Sequence, residues 1–202
     1  LLYNTSEDQF SKMQLKAAVQ LKDPELIQAR TIRVKDLFLD KSGSMFEFKK
    51  FSRLYPPLAW ADRKTICFNR DELADSMLKW TDGPIHSPLC QYDPTTQKEL
   101  IHTAKRLFKN VLGFMGDRKQ QQPVMLAVEL LSEGLKNEAL RDEIYSQIIK
   151  QLTKNPSQES ITKGWNLMLV CLHSFPPSET LENYLQMFLR TEATPQRKYI
   201  NL

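Results

Sequence analysis

The stretch LRDEIYSQIIKQLTKNP, residues 140–156, sets the pattern for the whole chain. Its apolar residues Leu140, Ile144, Ile148 and Leu152 recur every four positions, which places them on one face of an α-helix. Similar stripes of apolar residues recur on both sides of this stretch. Strict alternation of apolar and polar residues, the pattern of a half-buried strand, is not convincing anywhere. We therefore predict an all-α protein.

The ends of these stripes predict about nine or ten helices joined by short connections. The strongest stripe opens after Asp93-Pro94, runs for about five turns to Met115, and has Gly116 in position to end it. Ser178 follows two prolines and is expected to cap the last helix. Short connections favour a single helical bundle or superhelix, and the lack of a fixed-period repeat argues against a consensus solenoid.

Composition limits the class of protein further. The chain has 202 residues, 41% hydrophobic and 26% charged, which fits one folded domain with or without an extension and excludes a disordered chain. Its net charge of +4 is low for a dedicated nucleic-acid binder. The longest apolar run, residues 167–172, is far short of the ~20 residues that span a bilayer. We expect a soluble cytoplasmic domain that belongs to a larger protein.

No residue pattern indicates catalysis, a metal or a cofactor. The three histidines are isolated, no two cysteines form a Cys-x-x-Cys pair, and no glycine-rich phosphate loop is present. Cys171 and His173 are close in sequence, but we expect both to be packing residues. We interpret a series of acidic residues as a solvated helix face and not as an acid/base pair; the series is Glu129, Glu133, Glu138, Asp142 and Glu143.

Positive charge is concentrated between Thr96 and Lys119, where six lysines and arginines oppose two acidic residues. Lys98, His102, Lys105 and Lys109 have the spacing i, i+4, i+7 and i+11, so they share one helix face. That face is either an ordinary solvated surface, which the pattern alone favours, or a docking surface for an acidic partner. Arg106 can instead turn towards a neighbouring helix and form an ion pair there.

Four segments together resemble the myosin tail homology 4 domain. They are residues 140–156, Lys163-Gly164-Trp165, Phe175-Pro176-Pro177-Ser178 and, upstream, Phe114-Met115-Gly116-Asp117. The resemblance covers about Met45 to Arg190. The domain itself is therefore predicted over residues 45–190. Residues 1–44 fall outside the pattern and are predicted to be an added N-terminal helical flank, and residues 191–202, where the apolar pattern is lost, a C-terminal linker.

The family is found in certain unconventional myosins, in a kinesin and in non-motor cytoskeletal proteins. A Rho GTPase-activating protein of the Vilse type would suit as host, with GTPase activation and signal transduction in a separate domain. The resemblance implies a non-enzymatic binding module of the cytoplasm and cytoskeleton, with microtubules, a protein cargo or other host domains as partners. We expect a structural role for the signature residues Arg141, Asp142, Tyr145, Gln147, Gln151, Gly164 and Trp165.

Tubulin surfaces are acidic, so binding to them requires a basic face. The candidate partner-binding residues are therefore Lys98, Lys105, Arg106, Lys109, Arg118 and Lys119. The alternative function is an adaptor that binds a peptide or a neighbouring domain in an apolar groove between helices. An arginine finger for a small GTPase is disfavoured, because Arg106 and Arg141 lie within predicted helices and not on an exposed loop.

Overall fold

The structure, a computed structural model, describes residues 45–61 and 70–196. The predicted flank over residues 1–44 and residues 197–202 of the predicted linker lie outside them. The described residues form a 3-10 turn, Phe48–Lys50, and seven α-helices, which confirms the all-α class. The helices are α1 Pro57–Ala61, α2 Arg70–Ser76, α3 Lys98–Met115, α4 Pro123–Lys136, α5 Glu138–Leu152, α6 Gln158–Ser174 and α7 Glu179–Gln196.

Helix α5, which contains residues 140–152 of the stretch LRDEIYSQIIKQLTKNP, lies at the centre of the fold. It packs against α3, α4, α6 and α7. Every residue from Asp142 to Leu152 is buried, including the polar ones. A helix buried on all sides is ordinarily apolar all round. Because α5 is not, its polar side chains need hydrogen-bond partners inside the protein.

Helix α3 buries the predicted apolar face, including Leu107, Phe108, Val111 and Leu112. Gly116 ends the helix with a left-handed backbone, φ 86°, as the sequence predicts. The predicted start at Asp93-Pro94 is wrong, because the helix begins at Lys98.

A turn precedes α3 where the sequence predicted its first residues. The carboxylate of Asp93 accepts hydrogen bonds from the backbone N–H of Thr95 at 2.8 Å and from the hydroxyls of Thr95 and Thr96. These bonds hold the pKa of Asp93 at about 2. Asp93 thus favours the turn over the helix.

Helix α7 begins as predicted and extends further than predicted. The hydroxyl of Ser178 accepts a hydrogen bond from the backbone N–H of Leu181 at 3.3 Å, which confirms Ser178 as the cap. The helix continues through Gln196, past Thr191, where the linker was predicted to begin. Thr191 and Glu192 are exposed, so the apolar pattern carries no signal for these last turns.

Candidate functional site

Three lysines of α3 form the surface feature that the sequence predicted, here called the lysine row: Lys98, Lys105 and Lys109. Lys98 and Lys109 are exposed, Lys105 is half-buried, and His102 lies exposed on the same face. Eleven residues at 1.5 Å each give the row a length of about 16 Å. Within the part of the chain that the structure describes, none of the three ammonium groups has an ion-pair partner.

Arg106 differs from the lysine row because it binds the neighbouring helix. Its guanidinium pairs with Glu129 and lies 3.4 Å from a carboxylate oxygen of Glu133, both on α4. One turn further along α3, the side-chain amide of Asn110 donates to Glu129 at 2.8 Å. Arg106 therefore holds α3 against α4, the alternative that the sequence left open for this residue.

Arg118 and Lys119 lie beyond the C-terminal end of α3, and both are exposed. The backbone N–H of Arg118 donates to the carbonyl of Leu112 at 3.1 Å, so the chain turns back after Gly116. Asp117, which precedes them, accepts a hydrogen bond from Gln151 of α5 at 3.1 Å. The six candidate residues are thus a row of three lysines, one paired arginine and two cations beyond the helix end.

The predicted solvated acidic face is wrong at its C-terminal members. Asp142 and Glu143 are almost fully buried on α5. The Glu143 carboxylate accepts hydrogen bonds from the backbone N–H groups of Leu89 and Cys90, at 3.0 and 2.6 Å, and from the side-chain amide of Gln147 at 2.8 Å. Burial raises the pKa of Glu143 against the effect of these bonds. This carboxyl is a structural anchor for residues 89–90.

Asp142 joins three segments of the chain. It accepts a charge-assisted hydrogen bond from Arg53 at 2.8 Å, and from the backbone N–H and hydroxyl of Ser178 at 2.9 and 2.7 Å. The cation that pairs with Asp142 lies 89 residues earlier in the chain, just after the 3-10 turn. The Arg53 side chain is 38% exposed, which makes this a pair at the edge of the core.

Further polar side chains of α5 also bond to main-chain groups of other segments. Tyr145 donates to the carbonyl of Phe175 at 2.6 Å, and Gln147 donates to that of Ala104 at 2.8 Å. Gln151 exchanges two hydrogen bonds with the backbone of Thr81, at 3.0 and 3.2 Å.

Lys150 is a buried cation that the sequence reasoning missed. Its ammonium group donates to the carbonyls of Ser76, at 3.0 Å, and Lys79. Burial lowers the pKa of Lys150 to about 7. Its sequence context gave no sign of burial, since lysine at a helix C-terminus is ordinarily solvated.

The remaining signature residues pack helices together. Arg141 donates to the carbonyl of Gly134 at 2.9 Å and lies over the ring of Phe175. Trp165 is buried and stacks on Phe188, with ring centroids 5.8 Å apart.

Side chains of two other helices pack closely against Gly164 of α6. A Cβ atom added there would lie 2.7 Å from Met115 Cε and 2.8 Å from Leu152 Cδ2. The close approach is therefore made by two side chains.

Groups with chemical reactivity are either buried or isolated within the described residues. Cys171 is buried, as expected, and burial raises the pKa of its thiol. His173 is exposed, which corrects its predicted packing role. No group of three metal-binding side chains is present in residues 45–61 and 70–196. No described helix has the length and apolar character that would carry it across a membrane.

Solved structures share this helical architecture. The Dictyostelium discoideum myosin VII MyTH4-FERM MF1 domain matches 80% of this chain and 31% of its own, with a TM-score of 0.61 and 25% identity. The human myosin 7b C-terminal MyTH4-FERM domain, in complex with harmonin-a PDZ3, matches 58% and 26%, with a TM-score of 0.53 and 31% identity. The fold is that of a helical domain found in unconventional myosins.

Sequence comparison names the family. The model of the MyTH4 domain matches residues 127–201, and the chain belongs to this family. The high molecular weight form of myosin-1 from Acanthamoeba castellanii is 44% identical over 97% of the chain, and the kinesin-like protein KIN-14E from Arabidopsis thaliana is 28% identical over 89%. The chain spans only 12% and 14% of these two relatives.

The resemblance to the myosin tail homology 4 family is therefore confirmed, whereas the Vilse-type host protein is not. The relatives named above are motor proteins, and they give no support to a Rho GTPase-activating host or to a role in GTPase activation.

Proposed function

We propose that this MyTH4 domain is a non-catalytic docking module of a cytoskeletal motor protein and that it binds microtubules through the lysine row. The observation that carries the proposal is the arrangement of Lys98, Lys105 and Lys109 on one face of α3, without ion-pair partners in the described residues. A kinesin-like relative supports a microtubule context. The proposal places the host at the cytoskeleton in the cytoplasm.

The rest of α3 suits this role because it holds the row in place. The opposite face is packed into the core, and Arg106 fixes the helix to α4. Because the helix backbone is already fixed, only the lysine side chains have to be ordered when they meet an acidic lattice. Such attraction is long-ranged but screened over roughly 8–10 Å at physiological salt, so binding should weaken steeply as salt is added.

Co-sedimentation with taxol-stabilised microtubules tests the proposal. The variant carrying Lys105→Glu and Lys109→Glu should lose most of its bound fraction at physiological salt. The control carries Lys154→Glu and Lys163→Glu, which change net charge equally. Lys154 lies in the α5–α6 connection, and Lys163 lies in the second turn of α6, where it pairs with Glu159 at 2.7 Å. Equal loss in both variants would show that net charge and not the lysine row is responsible. Unchanged binding in both would place the docking surface elsewhere.

The adaptor function is the second candidate. It is favoured by the human myosin 7b relative, whose MyTH4-FERM domain was solved in complex with a PDZ domain. If the wild-type domain does not sediment with microtubules at any salt concentration, the adaptor function replaces the microtubule function.

A further inference from the structure

His102 lies within the lysine row, although it is not among the candidate docking residues predicted from the sequence. Lys98 lies four positions before it, and Lys105 and Lys109 lie three and seven positions after it. At 100° per residue, the three lysines project within about 60° of His102 around the axis of α3. The imidazole is exposed and makes no hydrogen bond or ion pair with the described part of the chain. A partner that covers the lysine row therefore also meets His102.

His102 fills a gap in the spacing of the row. Lys98 and Lys105 are about 10.5 Å apart along α3, whereas Lys105 and Lys109 are about 6 Å apart. His102 divides the larger interval into steps of about 6 and 4.5 Å. Alternate side chains of an extended peptide are about 6.6 Å apart, so acidic residues at alternate positions of such a peptide would each find a group of the row within reach. With a charged His102 the row presents four cations, and with a neutral one it presents three cations and a gap.

Charge on α3 is positive on the side of His102 where the lysine row lies. Glu99 is the one acidic residue of the helix, and it lies on the other side of His102. Arg106 lies on that other side too, where its guanidinium is engaged with α4. The surface shared by His102 and the lysine row therefore attracts acidic groups.

Each exposed or half-buried carboxylate on the helices α4, α5 and α6, which pack against α3, already has a cation as partner. The pairs are Glu129 and Glu133 with Arg106, Glu138 with Arg141, and Glu159 with Lys163. The two remaining acidic residues of these helices, Asp142 and Glu143, are buried. Lys136 of α4 is exposed and adds positive charge. A counter-charge for a protonated His102 is therefore best supplied by a partner.

We propose that His102 is a fourth docking residue of the lysine row, whose protonated ring binds an extended acidic segment of the partner, so that docking strengthens as the pH falls. The inference rests on the proposed function of the lysine row and adds a docking residue and a partner chemistry to it. Histidine is the side chain that ordinarily changes its charge between pH 5 and 8. An acidic segment over the row stabilises the charged ring relative to the neutral one. Binding of the segment and proton uptake at His102 therefore favour each other.

Two probes test the inference between pH 6.2 and 7.6 at constant ionic strength. They are taxol-stabilised microtubules, measured by co-sedimentation, and a labelled hexaglutamate peptide, measured by fluorescence anisotropy. Glutamate carboxylates stay largely ionised in this range, so the charge of the peptide is nearly constant. The affinity of the wild-type domain for both probes should rise about threefold or more as the pH is lowered.

Three variants separate His102 from other titrating groups. His102→Gln should bind nearly as the wild type does at pH 7.6 and lose the rise at lower pH. His102→Lys should bind at pH 7.6 about as tightly as the wild type binds at pH 6.2. The matched control His173→Gln removes an exposed histidine of α6 and should keep the wild-type rise. Because both histidines are exposed, the thermal melts of all three variants should match the wild type.

Three results would overturn the inference: a rise of equal size in His102→Gln with an unchanged melt, equal loss of the rise in His173→Gln, or no rise in the wild type. If the wild type still sediments with microtubules in these cases, the microtubule proposal stands. A rise with hexaglutamate that His102→Gln loses, without sedimentation with microtubules, supports the inference and overturns the microtubule proposal. Failure of the wild type to bind either probe overturns both.

Discussion

Arg53 and Asp142 form an ion pair of 2.8 Å that closes the N-terminal side of the described domain onto its central helix. The same carboxylate holds Ser178 at the start of α7. Asp142 is 1% exposed, so a charge in this position is tolerated only because three donors surround it. One side chain thus fixes the positions of two segments relative to α5.

Replacing Asp142 with Ala should lower the free energy of unfolding by roughly 3–5 kcal/mol, since the change removes all three hydrogen bonds and leaves partners without an acceptor. Arg53→Ala should cost less, because Ser178 still satisfies the carboxylate. Urea denaturation followed by circular dichroism measures both values. In a double-mutant cycle the two losses should not add; additive losses would mean that the pair contributes no coupling.

The pH dependence of the free energy of unfolding should reveal the lowered pKa of Lys150. The unfolded chain keeps this proton up to the ordinary pKa of 10.5, whereas the folded protein releases it near 7. Between these values the unfolded state binds more protons, so this lysine makes stability rise with pH, by at most about 1.4 kcal/mol per pH unit. Below pH 7 both states are charged and the slope from Lys150 vanishes.

Denaturation at pH 7, 8 and 9 on wild type and Lys150→Met measures that slope. The difference in free energy of unfolding between the two proteins should grow with pH in favour of wild type. A constant difference would show that the Lys150 ammonium keeps its ordinary pKa in the folded protein.

Two buried glycines should respond differently to alanine. A Cβ at Gly134 would run into the ring of Phe175, whereas a Cβ at Gly164 meets the flexible ends of Met115 and Leu152. Overpacking costs typically 1–3 kcal/mol, and alanine returns up to about 1 kcal/mol of helix propensity. We expect Gly134→Ala to be clearly destabilising and Gly164→Ala to be milder. Thermal melts that reversed this order would contradict the packing described for Phe175.

Substitution of Arg106 should affect the stability of the domain, whereas substitution of a lysine of the row should affect microtubule binding. Arg106→Glu places a third carboxylate beside Glu129 and Glu133 and should destabilise the domain, on the order of 1 kcal/mol. Lys109→Glu, on the exposed face, should leave the melting temperature close to wild type while weakening microtubule binding. If Arg106→Glu melts as wild type does, the pairing of α3 with α4 does not depend on this arginine.

Local signals explain what the sequence could predict. The apolar face of α3, the glycine that ends it and the Ser178 cap all depend on residues within a few positions of one another. The lysine row follows from the same periodicity. Arg106 could be assigned to a neighbouring helix only as an alternative, because the carboxylates that bind it lie on α4.

The burial of Glu143 and Lys150 could not be predicted for a physical reason. Their partners are backbone groups of residues 89–90 and of Ser76 and Lys79, between 53 and 74 positions earlier in the chain. Because almost every residue type has a backbone N–H and every one has a carbonyl, the sequence does not show which of these groups will bind a buried side chain. The polar residues of α5 therefore resemble those of a solvent-exposed helix, although the helix is buried at the centre of the fold.

That preference of α5 for main-chain partners has a consequence for divergence. Tyr145, Gln147, Lys150 and Gln151 each bond to a peptide group, and every residue type carries one. The contacted segments can exchange their side chains without losing these bonds, provided that the backbone keeps its course. The residues of α5 can thus specify the fold while the residue types of the contacted segments change. This suits a domain that keeps its architecture at 25–31% identity.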